Sequence, residues 1–210
     1  MKKLSCIFLV LLLYSCSTTR ITESWRSKEF LKYQPKKILV IGITQNLTAK
    51  KIFEEKLSTK LNNRGILAIE SSQVFEPAFT SSKQTEANIF QEVENLIEKG
   101  FDAILISAVK GVDEKTSYSG YDFRTDYYLR RFGHYYFLYQ DVYFDRGYYE
   151  NYKVYHIESS LYNLKDAHKT PLVWVASYDI VDPKKINATI NNYVKIVLNS
   201  LEKERIVPLN

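Results

Sequence analysis

The side chains best suited to chemistry in this 210-residue chain are isolated histidines and spaced pairs of aspartates. They are His134, His156, His168, the pair Asp122 and Asp126, and the pair Asp141 and Asp145. An aspartate pair could act as acid and base if the fold joined its carboxyl groups, but we interpret these pairs as solvated partners of nearby arginines. The histidines lack the spacing of a metal site, and the chain has no phosphate-binding loop, dinucleotide fingerprint or nucleophile elbow. We therefore expect no metal, no cofactor and no enzymatic activity.

Cys16 is the residue whose neighbours predict a specific covalent fate. A basic start, Met1-Lys2-Lys3, precedes an apolar run over residues 7–14, which is too short to span a bilayer and is typical of a secretory signal. The run closes in Leu13-Tyr14-Ser15-Cys16, which resembles the lipobox of bacterial lipoproteins. That resemblance implies removal of residues 1–15 and acylation of Cys16. The alternative is an ordinary secretory signal with a chance cysteine.

Charge and cysteine content limit the partners that this chain can have. Loss of Lys2 and Lys3 with the signal reduces the net charge from +5 to about +3, which is too weak to indicate nucleic acid. Cys6 is also lost and Cys16 is acylated, so no disulfide or thiolate metal site is expected. Ser17 follows the cysteine in place of the Asp that marks inner-membrane retention in similar proteins. The expected location is the outer membrane, lipid-anchored and facing the periplasm.

The hydrophobic pattern predicts an α/β (α+β) single domain over residues 36–210, after a lipidated tether over residues 16–35. Trp25, Phe30 and Tyr33 are spaced so that one or more of them can pin the tether to the domain. The predicted strands cover residues 37–43, 66–69, 101–109, 155–164 and 171–181. Helices are predicted after Asn46 or Thr48, after Thr85, and from Asp182-Pro183 as N-cap and first residue.

These elements predict a mixed sheet of about five strands in the order β-α-β-α-β-(aromatic insert)-β-β-α, with the helices packed on the sheet. Two helical crossovers imply that the first three strands run parallel with right-handed connections. The short polar turn over residues 165–170 predicts an antiparallel hairpin for the last two strands. Gly65 and Gly100 are placed to end the first two helices.

Strand and helix signatures then support a resemblance to a known group. They are Lys36 to Ile43, Asn63-Arg64-Gly65, Gly100 to Ile106, Ser160-Leu161-Tyr162 and Leu172 to Ala176. The chain resembles small envelope lipoproteins whose α/β domain is similar to the TolB N-terminal domain and to the periplasmic domain of the curli secretion protein CsgG. The resemblance covers about residues 36–205 apart from 118–155. It implies an accessory role through protein partners and supplies no catalytic residue.

Residues 118–155 depart from this pattern and contain 12 of the 17 tyrosines, together with four phenylalanines and interleaved charges. Exposing even half of these rings would exceed the apolar patch that a monomer usually shows, so the stretch packs on the sheet, on a partner or on lipid. The readings left open are an ordered excursion or β-arm that covers the open sheet edge, a protein-interaction or self-association surface, a glycan platform and a membrane-inserting hairpin. The candidate interaction residues are Tyr121, Asp122, Arg124, Tyr127, Tyr128, Arg130, Arg131, Tyr135, Tyr136 and Tyr139.

The sequence thus predicts a non-enzymatic, lipid-anchored envelope protein that uses residues 118–150 to bind an envelope partner or itself. The alternative is a carbohydrate-binding or carbohydrate-processing domain that uses the same aromatic rings with Asp122 or Asp141.

Overall fold

A computed structural model describes residues 19–113, 132–139, 154–165, 169–181, 183 and 185–209. The predicted signal peptide, the lipobox and Cys16 lie outside the described residues, as does most of the Tyr-rich stretch. In the part of the chain that is described, no helix combines the length and the apolar character needed to cross a membrane.

The described residues form one mixed sheet of six strands in the order β1-β6-β5-β4-β2-β3. The strands are β1 Thr19–Arg26, β2 Lys37–Ile43, β3 Leu67–Glu70, β4 Ala103–Val112, β5 Val154–Asn163 and β6 Leu172–Val181. Strand β2 is parallel to both β3 and β4, whereas the β4–β5, β5–β6 and β1–β6 pairs are antiparallel. The predicted mixed sheet, its parallel β-α-β-α-β part and the final hairpin are confirmed.

The predicted count of about five strands is one too low, because β1 forms within the stretch assigned to the tether. Strand β1 pairs along β6 from Thr19 opposite Ile180 to Arg26 opposite Trp174. It is an edge strand with five consecutive exposed residues, so it lacks the apolar run that reveals a buried strand. The rings predicted to pin this region do pack on the domain: Phe30 and Tyr33 lie on one face of the sheet and Trp25 on the other.

Helices cover both faces of the sheet. They are α1 Leu47–Asn62, α2 Pro77–Ser81, α3 Glu86–Glu98, α4 Phe132–Tyr139 and α5 Ile186–Lys203. Helices α1 and α5 pack on one face, where Leu57 and Val197 are fully buried, and α3 and α4 pack on the other, around Leu96. Strand β2 has six consecutive buried residues because it receives helices on both sides.

Local signals set the helix ends, with one exception. The Asn46 side chain accepts from the backbone N–H of Ala49, and the Thr85 hydroxyl accepts from that of Asn88, so both predicted N-caps are confirmed. Gly65 and Gly100 have φ of +78° and +82° where the chain leaves α1 and α3. The predicted start of α5 at Pro183 is wrong. Lys185 is still extended, and the helix begins at Ile186, from which its apolar stripe meets the sheet.

Strands β4 and β5, which precede and follow most of the Tyr-rich stretch, pair with each other up to the ends nearest to it. Strands β4 and β5 pair as far as Val112 opposite Tyr155. Within the stretch, residues 132–139 form α4, so the β-arm reading is wrong for these eight residues. Phe132 and Tyr136 are 2% and 3% exposed and belong to the core cluster of α3. Burial of two aromatic rings one turn apart explains why a helix without a clear sequence period forms here.

Candidate functional site

A crevice opens at the edge of the sheet where parallel strands β2 and β4 end, which we call the carboxyl edge. The connection from β2 leads to β3 on one side, β4 lies on the other side, and α1 and α3 cover opposite faces. Ligands of open α/β sheets bind at such a point, outside the carboxyl ends of the strands. The cavity measures about 230 Å³ and lies between the first turns of α1 and α5.

The walls of this crevice are mainly apolar, and its polar groups lie at the mouth and the floor. The wall residues include Ile43, Phe53, Val109, Ile157, Ile180 and Ile190. Thr44 and Asn46 stand where β2 gives way to α1, and Ser107 and Tyr193 line the floor. An apolar cavity with a few convergent polar groups is the usual form of a small-ligand site.

The floor is built on a ring of three buried hydroxyl groups. Ser107 and Ser159 face each other across β4 and β5 with their Oγ atoms 2.6 Å apart, and Tyr193 reaches them from α5. The Tyr193 hydroxyl lies 2.6 Å from the Ser159 Oγ and 3.2 Å from the Ser107 Oγ. Each hydroxyl has one proton to donate. A closed ring uses all three donors, so the floor offers acceptor lone pairs to whatever enters the crevice.

Burial keeps the phenol of this ring protonated. Burial, with a smaller contribution from the charge of Glu158, raises the pKa of Tyr193 to about 12, although the hydrogen bonds to Ser107 and Ser159 act in the opposite direction. The phenol is therefore protonated at neutral pH and cannot serve as a base there. It acts as a hydrogen-bonding group that ties α5 to the sheet.

A buried carboxyl group fixes α1 beside the crevice. Glu54 is 1% exposed, and its Oε1 accepts from the backbone N–H of Gly42 and from the hydroxyl of Ser71, each at 2.8 Å. Burial raises the pKa of Glu54, and the Lys50 ammonium 3.9 Å away opposes that shift. A Cβ at Gly42 would lie 3.3 Å from Phe53, so the glycine permits the close approach of helix and strand. These contacts indicate that the Glu54 carboxyl group has a structural role, which is to hold α1 against the sheet.

A second polar group of side chains lies on the opposite face of the sheet. His156 Nδ1 is 2.7 Å from an Asp179 oxygen, and Arg20 is 3.3 Å from the other oxygen of the same carboxylate. Lys110 pairs with the buried Glu158 at 2.8 Å. His156 is therefore a hydrogen-bonded histidine. His168 lies outside the described residues, and the described ones contain no group of three or more metal-binding side chains.

Of the predicted interaction residues, one has a described side chain. Tyr136 packs against Phe79 and Phe132, with ring centroids 6.0 and 5.8 Å apart, and burial raises the pKa of its phenol. It is a core residue, so its assignment to an accessible surface is corrected. For Tyr135 and Tyr139 the structure describes only the backbone, which is part of α4. The others lie outside the described residues: Tyr121, Asp122, Arg124, Tyr127, Tyr128, Arg130 and Arg131.

Sequence reasoning missed the crevice and its ring of hydroxyls. Ser107 interrupts the apolar run of β4, Ser159 lies among other polar residues of β5, and Tyr193 lies in the apolar stripe of α5. A small polar residue on the buried face of a strand calls for a partner. The two serines could therefore have been predicted to form buried hydrogen bonds, but the sequence does not show which residues are their partners.

Comparison with solved structures finds similarities that cover most of the chain but have low scores. No family model matches the chain, and no curated protein matches its sequence. A PelC dodecamer from Paraburkholderia phytofirmans is similar with 14% identity and a TM-score of 0.42 over 87% of this chain and 95% of that one; a variant of the same protein gives 0.43. Lipoprotein GNA1162 from Neisseria meningitidis has 14% identity and a TM-score of 0.40 over 80% and 96% of the two chains. These scores do not establish a shared fold, and the resemblance to TolB and CsgG stays a prediction.

Proposed function

We propose that this protein is a lipid-anchored accessory of the outer membrane, which binds an envelope protein or a second copy of itself through residues 118–150 and catalyses no reaction. The observation that carries the proposal is that Thr19, three residues after the proposed anchor, lies at the carboxyl edge together with Val112 and Tyr155, which precede and end the Tyr-rich stretch. Thr19 pairs with Ile180, Ile180 with Tyr155, and Tyr155 with Val112, so one lateral row of the sheet joins them.

The position of β1 ties the proposed anchor closely to the domain. Cys16 precedes Thr19 by three residues, and even a fully extended chain spans only about 3.3–3.6 Å per residue. An acylated Cys16 would therefore hold Thr19, at the carboxyl edge, within roughly 11 Å of the point where the acyl chains enter the membrane. Val112 before the Tyr-rich stretch and Tyr155 at its end lie at that same edge, which supports the proposal that the stretch meets a membrane-bound partner.

Composition supports protein binding as the role of the stretch. Tyrosine and arginine are enriched in binding hot spots, where aromatic rings provide large contact areas. Tyr127 and Tyr128 stand close to Arg130 and Arg131 in the sequence. The buried Phe132 follows directly, so this run of residues joins a fixed point in the core.

Site-specific photo-crosslinking in intact cells tests the proposal. A photoreactive phenylalanine analogue at Tyr127 or Tyr128 should give a discrete adduct, with a protein partner or at the mass of a dimer. Leu67 is the matched control, because it is 53% exposed at the opposite edge of the sheet and should give no adduct. Binding of glycan or peptidoglycan by the purified chain, without a protein adduct at either tyrosine, would refute the proposal in favour of the carbohydrate alternative.

A further inference from the structure

We infer that the carboxyl edge of the sheet rests on the phospholipid bilayer, with Leu47 and Ile186 inserted into the interface. This inference depends on the proposed lipid anchor at Cys16. It adds a surface of the folded domain that contacts lipid, separate from the acyl chains and from the Tyr-rich stretch.

Two exposed apolar side chains mark this surface. Leu47 is 71% exposed and Ile186 is 43% exposed, and each is the first residue of its helix, α1 or α5. Both helices begin at the carboxyl edge, and Ile186 also lines the crevice. Single exposed apolar residues are ordinary in soluble proteins. This pair is notable because both residues lie at the edge of the sheet at which β1 begins.

The reach of the anchor brings this edge to the lipid. The polar region on each side of the hydrocarbon core is about 5–8 Å thick. The three residues from Cys16 to Thr19 span at most roughly 11 Å. Thr19, at the end of this edge, therefore lies at or just above the headgroups, whatever path those residues take. Ile21, 43% exposed on β1, lies two residues further along the anchored strand.

Basic side chains accompany the two apolar residues. Lys51 follows Leu47 by one helical turn and so shares its side of α1, and Lys185 directly precedes Ile186; both lysines are exposed. Apolar side chains with adjacent lysines fit a surface of anionic and zwitterionic phospholipid, where the chain's own lysines meet phosphate groups. A protein partner is the competing occupant, and the experiment separates the two.

Thiol accessibility in the full-length lipidated chain tests the inference. The chain is reconstituted into vesicles of phosphatidylethanolamine and phosphatidylglycerol and treated with a bulky, membrane-impermeant maleimide. Three single-cysteine substitutions are compared: Leu47→Cys, Ile186→Cys and, as the matched control at the opposite edge, Leu67→Cys. We expect positions 47 and 186 to react about tenfold more slowly than position 67, because a thiol in apolar surroundings forms little reactive thiolate. In detergent all three should react at similar rates.

The outcomes separate this inference from the anchor. The unsubstituted chain should not react, because its mature thiol is acylated; if it reacts, the anchor and this inference both fail. If the unsubstituted chain is inert but positions 47 and 186 react in vesicles as fast as position 67, the edge does not touch lipid and only the anchor stands. Protection that persists in detergent would show that protein, such as a second copy, covers the edge, and would overturn the inference.

Discussion

Tyr193→Phe is the sharpest test of the hydroxyl ring at the floor of the crevice. The phenyl ring keeps the packing of the tyrosine against Phe53 and Tyr178, whose ring centroids lie 5.6 and 5.2 Å away. The hydroxyl's bonds at 2.6 and 3.2 Å are lost. At about 0.5–1.5 kcal/mol per bond, the free energy of unfolding should fall by about 1–3 kcal/mol. The upper half is expected, because Ser107 and Ser159 stay bonded to each other but one of their protons is left without an acceptor in a buried site.

Tyr33→Phe is the matched one-bond control. The Tyr33 hydroxyl donates to the backbone carbonyl of Asp102 at 2.6 Å, and that carbonyl also accepts from the N–H of Leu164 at 2.9 Å. Removal of the tyrosine hydroxyl therefore leaves the carbonyl paired, and the cost should be about 0.5–1.5 kcal/mol.

The combined variant Ser107→Ala/Ser159→Ala/Tyr193→Phe tests whether the ring acts as a unit. It removes all three hydroxyls and so leaves no buried hydroxyl without a hydrogen-bond partner. The loss in the free energy of unfolding should therefore be smaller than the sum of the three single losses by at least about 1 kcal/mol. The assay is urea unfolding of the chain in mild detergent, followed by circular dichroism and fluorescence. Single effects that add up to the combined one, or a change below about 0.3 kcal/mol in Tyr193→Phe, would refute the ring.

Three further outcomes are expected. Glu54→Gln should remove a pH dependence of stability. Burial raises the pKa of Glu54 in the folded state, so the folded state binds this proton more tightly than the unfolded state does. The free energy of unfolding of the unsubstituted protein therefore falls as the pH rises from about 4 upward. Melting curves against pH measure this, and an unchanged slope in the variant contradicts it. Gly65→Ala should cost about 1–2 kcal/mol in urea unfolding, since φ of +78° is strained for alanine although the added Cβ meets no atom within 4 Å; an unchanged stability excludes that backbone strain. Cys16→Ala should give uncleaved precursor without fatty-acid label, and normal processing of the variant excludes the lipobox.

The elements that the sequence predicts well are those in which local chemistry and burial agree. Strand β2 is apolar at nearly every position because it is covered on both faces, and Asn46 and Thr85 cap the helices that follow β2 and precede β4. The final hairpin follows from two long β-rich runs separated by a short polar turn. In each case a few neighbouring residues contain the whole signal.

The elements that the sequence conceals depend on distant pairing. Strand β1 is mostly exposed, and it is a strand because β6 offers it backbone hydrogen bonds. The hydroxyl ring joins residues 107, 159 and 193, which meet through the register of β4 against β5 and the docking of α5. Helix α4 has aromatic residues at most positions, so its period is obscured, and its buried face is defined by α3.

The pairing of β1 also determines the order in which the domain can be completed. Thr19 is among the first residues synthesised, whereas its partner Ile180 follows 161 residues later. At about 5–20 residues per second, β1 waits on the order of 10–30 s for the strand that it joins. A chain interrupted before β6 leaves both β1 and the free side of β5 without backbone partners. Such edges readily pair with other chains, so truncated products of this protein are expected to aggregate rather than to persist as smaller folded units.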